Sequence, residues 1–202
     1  MRFLYKKLNI PLFFALLVFL GSCSDQDRGC GESPYSLNAA CEAIRWKSLP
    51  VTLEINGDTP QSVRNAVYAA EEIWETQLNS NVFEIKEVSS SSDPTNLIAT
   101  VYGSGWAELG GSEDQNGRTT FLYRGNEMIQ ANVYFNGDLL NTTQNGQTID
   151  LVSVALHELG HVLGLAHNNN SSSLMYAKIA YGELKMPTQE DLQNVRNLYS
   201  GQ

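Results

Sequence analysis

The chain has 202 residues, with 22 acidic against 13 basic side chains and a formal net charge of −9 at pH 7. This length suits one domain with a core of ordinary size plus a targeting segment. The acidic balance, with no basic stripe interleaved with aromatic residues, excludes nucleic acid as an expected partner, because phosphate backbones repel such a chain.

The first 22 residues have the pattern of a secretory signal peptide. Arg2, Lys6 and Lys7 give a positively charged start, and an uninterrupted apolar run follows from residue 12 to residue 20. That run is too short to cross a bilayer as a stable helix, but it suits the apolar region of a signal. Residues 1–22 are therefore predicted to be a signal peptide.

The run ends in a tetrapeptide that resembles the lipobox of bacterial lipoproteins, Leu20-Gly21-Ser22-Cys23. This resemblance implies cleavage before Cys23 and lipidation of that cysteine. The mature protein is then expected to be an exported, membrane-anchored lipoprotein, at the bacterial outer membrane or the cell surface. The alternative is an ordinary signal peptide with a chance cysteine.

Cysteine parity supports the lipid anchor. The chain has three cysteines, and lipidation of Cys23 removes the odd one in an exported protein. Cys30 and Cys41 then remain, eleven positions apart, and we predict that they form a disulfide in an oxidising compartment. A bridge that closes so short a loop contributes about 2–3 kcal/mol on loop-entropy grounds.

The polar segment 23–45 is predicted to be a tether, and the folded domain to span residues 46–202. Alternating apolar and polar residues predict strands, and apolar spacings of three and four predict helices. Thr59 and Pro60 are expected to open the first helix as N-cap and first helical residue. Thr188 as N-cap and Asp191 three residues on resemble a capping box at the start of the last helix, with aspartate in place of the usual Glu or Gln. The predicted strands are 51–55, 82–88, 97–102, 119–123 and 129–135, and the predicted helices are 60–78, 150–165 and 188–199. This order predicts an α+β fold, with one twisted, mixed, five-stranded sheet packed by three helices.

The chemistry is concentrated in an eleven-residue stretch that begins at His157 and ends at His167. Two histidines four apart on a helix, His157 and His161, project from one face and can reach one zinc ion. Gly164 lets the backbone leave helical geometry, so that His167 can return as a third ligand. Glu158 lies beside the metal, where it can take a proton from zinc-bound water.

A lone His-Glu-x-x-His pattern can arise by chance on a surface helix. Here the pattern extends over eleven residues and is preceded by an amphipathic helix, and a methionine follows in a tight loop. All three histidines of the chain lie within it. The extended pattern therefore favours a catalytic zinc site over isolated core histidines.

The stretch 157–167 resembles the zinc motif of metzincins at every specified position, and 173–176 resembles their Met-turn. Within metzincins, residues 46–201 are most similar to matrixins, the group of the matrix metalloproteinases. The resemblance implies the zincin fold with an active-site helix. It also implies that Met175 forms a hydrophobic floor under the zinc and that Tyr176 walls the S1′ substrate pocket.

Some residues differ from the matrixin pattern. Asn168 stands where matrixins usually have serine, and Ala177 replaces a frequent proline. No histidines remain for the structural zinc of animal matrixins, so one catalytic zinc is expected. Calcium at the acidic loop 103–117, or around Asn136 and Asp138, is left open beside the alternative of an ordinary solvated turn.

The resemblance implies a zinc metalloendopeptidase that acts as a monomer on protein or peptide substrates, bound antiparallel to the 119–123 strand. Two alternatives remain open: a narrow-specificity processing peptidase and a catalytically silent zinc-binding surface module. Matrixins are often kept latent by a cysteine on the zinc, and residues 28–31 resemble that switch weakly. The disulfide is preferred, because the switch would leave Cys41 unpaired.

Overall fold

The computed structural model describes residues 30–200 and the backbone of a short strand at residues 19–22. Cys23 and residues 1–18 of the predicted signal segment lie outside the described residues. No helix in the described ranges is both long and apolar enough to span a membrane.

The domain is built on a mixed sheet against which the two long inner helices pack. The strands are β1 Phe19–Ser22, β2 Val51–Asn56, β3 Phe83–Val88, β4 Leu97–Val101, β5 Gly117–Arg124 and β6 Glu127–Asn136, followed by a hairpin of β7 Thr143–Gln144 and β8 Gln147–Thr148. The helices are α1 Gln61–Leu78, α2 Ser104–Glu108, α3 Leu151–Val162 and α4 Gln189–Leu198.

The strand order in the main sheet is β1-β5-β6-β4-β2-β3. The β2–β3, β2–β4 and β4–β6 pairs are parallel, whereas β5 runs antiparallel to both β6 and β1. The α+β fold and the mixed five-stranded sheet, β2 to β6, are confirmed. β1 lies within the predicted signal segment, so β5 becomes the edge strand of this sheet if that segment is removed.

The spacing of apolar residues in the sequence explains which faces of the strands and helices are buried. Strand β2 alternates buried and half-buried residues along its whole length, as a strand with one covered face does. Helix α1 buries one apolar stripe, which includes Val67 and Trp74, against α3. The indole Nε1–H of Trp74 donates to the carbonyl oxygen of Leu156 at 3.1 Å, so a hydrogen bond also joins the two helices.

Helix boundaries follow the capping residues. Asp150 caps α3, since its side chain accepts from the backbone N–H of Ser153. The prediction that Thr59 caps α1 is wrong: Pro60 occupies the N-cap position with ψ of 146°, and no side chain caps that helix. Thr59 lies one residue too early to reach the first free N–H groups.

Three elements were not predicted: α2, the β7–β8 hairpin and the sixth strand β1. Helix α2 has five residues inside a glycine-rich loop, too few to show a helical period. The hairpin turns at Asn145 and Gly146, both with positive φ. Asn-Gly is the strongest short-range hairpin signal, so this element could have been found from the sequence.

Residues 30–45, predicted as part of a tether, pack against the domain. A disulfide joins Cys30 to Cys41. Within the loop that it closes, the backbone of Ser36 donates to the carbonyl of Gly164, and the carbonyl of Pro34 accepts from Ala166, each at 2.9 Å. This segment therefore contacts the turn that follows α3.

Candidate active site

Helix α3 carries two of the three candidate metal ligands. His157 and His161 lie one turn apart on it, and both side chains are buried. Their Nε2 atoms are 3.1 Å apart. The spacing of four residues puts both imidazoles on one face of the helix, which here is the face toward the cleft.

The third candidate ligand returns to the same point after a sharp turn. Gly164 follows the end of α3 with φ of +93°, a backbone conformation that is strained for any residue with a side chain. A Cβ on Gly164 would also lie 2.6 Å from the carbonyl oxygen of Ile44. Past this turn, Nε2 of His167 lies 3.1 Å from that of His157 and 3.2 Å from that of His161.

The contacts of the Nδ1 atoms determine the tautomers of the two histidines on α3. Nδ1 of His157 is 2.8 Å from the carbonyl oxygen of Leu174, and Nδ1 of His161 is 2.9 Å from that of Leu165. A carbonyl can only accept, so each Nδ1 carries the hydrogen and each Nε2 presents a lone pair. Such outer contacts are typical of metal-binding histidines, because they fix ring orientation and raise ligand basicity.

Burial keeps the three imidazoles in the neutral form that binds metal. It lowers the pKa of His157 to about 4, helped by the neighbouring His167, and holds the pKa of His161 well below its ordinary value. Burial also lowers the pKa of His167. Three neutral imidazoles whose Nε2 atoms converge in this way can share one cation.

The geometry of the cluster fits zinc. Tetrahedral ligands at about 2.0–2.1 Å from zinc lie about 3.3–3.4 Å from one another, close to the nitrogen separations here. Among the residues that the structure describes, these histidines are the one group of three or more His, Cys, Asp or Glu side chains whose ligand atoms lie within 4.8 Å of one another. The donor set and its spacing therefore suit one zinc ion.

Glu158 lies beside this cluster, on the same helix, and its side chain is 4% exposed. Its Oε2 accepts a hydrogen bond of 2.6 Å from the hydroxyl of Thr119 on β5. Burial raises the pKa of Glu158 to about 7, against the opposing effects of this hydrogen bond and of the Arg118 charge. A carboxyl group with such a pKa can both accept and return a proton near neutral pH.

Met175 lies directly behind α3. It is 1% exposed, and its Sδ would be 2.6 Å from a Cβ placed on Gly160. The glycine between the two helical histidines is therefore what lets the methionine approach. Met175 therefore packs directly on Gly160, the residue before His161, and its role as a floor under the zinc stays a prediction.

The turn that carries Met175 is held by Asp191, at the start of α4. Its Oδ1 accepts from the hydroxyl of Ser173 at 2.6 Å, and its Oδ2 accepts from the backbone of Leu174 at 3.0 Å. Oδ2 also accepts from the backbone and hydroxyl of Thr188, so the predicted capping box is confirmed. Sequence reasoning recognised Asp191 as a helix cap but missed its contacts with the turn.

The three histidines and Glu158 open onto a cleft of about 1070 Å³. Tyr176 also lines it, and the ammonium of Lys185 lies 5.2 Å from the centre of the Tyr176 ring. Lys185 is 5% exposed and donates to the carbonyls of Ser171 and Ser173, so it fixes this wall of the cleft. Sequence reasoning did not identify Lys185, since a lone lysine carries no pattern.

The remaining predicted site residues lie elsewhere. Cys30 and Cys41 form the disulfide of the amino-terminal segment rather than approaching the histidines. The Asp138 carboxylate accepts from the backbone N–H of Gly103 at 2.7 Å, and the Asn136 amide donates to the carbonyl of Gln115. Calcium at Asn136 and Asp138 stays a prediction.

Known proteins resemble this chain over most of its length. A family model described as Matrixin (Peptidase M10) matches residues 45–200. Matrix metalloproteinase-16 of Mus musculus is 28% identical over 88% of this chain, and interstitial collagenase of Sus scrofa is 25% identical over 77%. Karilysin of Tannerella forsythia is 54% identical over a shorter stretch, 22% of this chain and 9% of its own length.

The chain spans about a third of the length of the first two relatives, 31% of the metalloproteinase and 33% of the collagenase. The family match, in contrast, includes the whole sheet from β2 to β6, helices α1 to α4 and all three histidines. The protein therefore belongs to the matrixin family of zinc metalloendopeptidases.

Proposed function

We propose that this protein is an active zinc-dependent endopeptidase that hydrolyses peptide bonds of protein substrates. The observation that carries the proposal is the convergence of three neutral imidazole Nε2 atoms beside a buried carboxyl group at a cleft. His157, His161 and His167 hold the zinc, and Glu158 is the general base. All four come from one chain, so the enzyme is proposed to act as a monomer.

A zinc ion held by these residues supplies Lewis-acid activation of water and of the scissile carbonyl. Glu158 accepts the proton of the attacking water at a carboxylate oxygen and delivers it to the leaving amine. Its pKa of about 7 suits both transfers. The Nδ1–H groups of His157 and His161 stay on backbone carbonyls throughout, and so keep both rings oriented.

Strand β5 is proposed to bind the substrate as an extended chain. Gly117 and Arg118, at its start, line the cleft. The outer edge of β5 can accept an antiparallel strand, as its pairing with β1 illustrates. Addition of a strand to such an edge supplies main-chain hydrogen bonds without regard to side chains. We propose that Tyr176 walls the pocket for the residue after the cut site.

Proteolysis by the purified Ser24–Gln202 form tests this function directly. We expect denatured casein or gelatin to be cleaved, the cleavage to stop with a zinc chelator and to return with added zinc, at one zinc per chain. One bound zinc without cleavage of these or of a peptide library would favour the silent zinc-binding module. No bound zinc would overturn the proposal.

We also propose that Cys23 carries a lipid that anchors the enzyme to a membrane at the cell exterior. Its support is the lipobox-like tetrapeptide that ends at this cysteine. We expect the full-length protein to partition with membranes when it is expressed in bacteria, and a Cys23→Ser variant to lose that partitioning. Equal membrane association of the two forms would contradict the lipid anchor.

A further inference from the structure

The carboxyl group of Glu158 is held by strand β5 as well as by its own helix. The hydroxyl of Thr119 lies 2.6 Å from Oε2 of Glu158, the length of a charge-assisted O–H···O bond. It is also 3.2 Å from the Glu158 carbonyl oxygen. The hydroxyl has one hydrogen, which the shorter contact to the carboxylate receives.

Thr119 is well placed to fix that carboxylate, because it is itself buried and held in the sheet. Its side chain is 0% exposed, and its backbone is paired with Val133 in the ladder between β5 and β6. A β-branched residue in a strand has few χ1 choices. The hydroxyl therefore presents its hydrogen to Oε2 from a fixed position.

The other carboxylate oxygen is confined by a glycine of the same strand. A Cβ on Gly117 would lie 2.6 Å from Oε1 of Glu158, and 2.9 and 3.0 Å from its Cγ and Cδ. Only a residue without a side chain leaves room for the carboxyl group here. Gly117 lines the cleft, so Oε1 lies at the cleft wall while Thr119 holds Oε2.

We infer that Thr119 is a positioning residue for the general base: its hydroxyl holds Oε2 of Glu158, and Oε1 is thereby kept in place against Gly117 to accept the proton. Thr119 is fully buried and does not line the cleft, whereas Glu158 does, so Thr119 acts through Glu158. This inference rests on the proposed peptidase function and assigns a second element, β5, to the catalytic apparatus.

Steady-state kinetics of zinc-loaded Thr119→Val and Thr119→Ser test the inference. Valine keeps the branched shape without the hydroxyl, and serine keeps the hydroxyl without the methyl group. We expect Thr119→Val to lose about 10- to 100-fold in kcat, the usual worth of a hydrogen bond to a charged group. KM and zinc content should stay unchanged, and Thr119→Ser should stay within about threefold of the parent.

The double variant with Glu158→Ala separates positioning from a general packing effect. Thr119→Val should cause no further loss in that background, because residues that act as a unit are not additive. An additive loss would overturn the inference, as would equal kcat in the Thr119→Val variant and the parent. A serine variant as slow as the valine variant would overturn it too.

Gly117→Ala provides a test that leaves the hydroxyl intact, should Thr119→Val fail to fold. Its Cβ would push the carboxyl group from the opposite side, so we expect a comparable loss in kcat with full zinc occupancy. Full kcat in Gly117→Ala would contradict the inference. A parent protein that binds zinc but cleaves nothing would instead refute the proposed function, so the two failures are distinguishable.

Discussion

Replacing Glu158 by glutamine is expected to lower kcat by about 10²–10⁴-fold, the usual contribution of a general acid–base group. Zinc content should remain at one ion per chain. Glutamine has nearly the same shape and can still accept from Thr119, but its amide cannot take a proton from water. Activity on a quenched peptide and metal content of the same preparation measure the two effects.

Glu183→Gln is the matched control for this variant. Glu183 also lines the cleft; its side chain is 40% exposed and lies 3.7 Å from the ammonium of Lys185. We expect its kcat to stay within a few fold of the parent, since Lys185 is also held by the carbonyls of Ser171 and Ser173 and a half-exposed ion pair contributes about 1 kcal/mol or less. Unchanged kcat in Glu158→Gln would exclude Glu158 as the general base. Loss of zinc in that variant would show that Glu158 maintains the metal site instead.

Replacing Asp191 by alanine is expected to lower the free energy of unfolding by about 3–4 kcal/mol, because it leaves four donors, two of them fully buried, without this acceptor. Those donors are the hydroxyl of Ser173, the backbone of Leu174, and both the backbone and hydroxyl of Thr188. Urea unfolding of the zinc-loaded protein measures the change.

Asp191→Ala should also weaken zinc binding, by about tenfold. Leu174 donates its N–H to Asp191 and accepts the Nδ1–H of His157 on its carbonyl. The Asp191 carboxylate therefore holds the backbone that orients the His157 ring. Glu190→Ala is the control, since Glu190 is exposed and has one weak contact at 3.5 Å. Equal stability of the two variants would contradict the role assigned to Asp191.

The histidine cluster could be predicted from the sequence because its geometry is local. His157, His161 and Glu158 lie within five residues on one helix, where periodicity alone determines which side chains share a face. The turn at Gly164 follows from the conformational freedom of glycine. The alternating strands likewise carry their own burial pattern, so the α+β fold could also be predicted.

The supports of the site could not be predicted in the same way, since they join segments far apart in the chain. Thr119 reaches Glu158 across 39 positions, and Asp191 reaches Leu174 across 17. No periodicity relates such residues; the contact exists only once β5 and α4 are packed against α3. The packing of residues 30–45 against the domain was missed for the same reason.

The loop closed by the disulfide also determines how mechanical load enters the domain. If Cys23 is fixed in a membrane, a pull on a bound substrate is resisted at the amino terminus. Pro34 and Ser36, which hold the 164–166 turn, lie inside the loop that Cys30 and Cys41 close. Tension therefore passes across the covalent bridge and bypasses Pro34 and Ser36. The hydrogen bonds that Pro34 and Ser36 make to the turn before His167 therefore do not carry the tension.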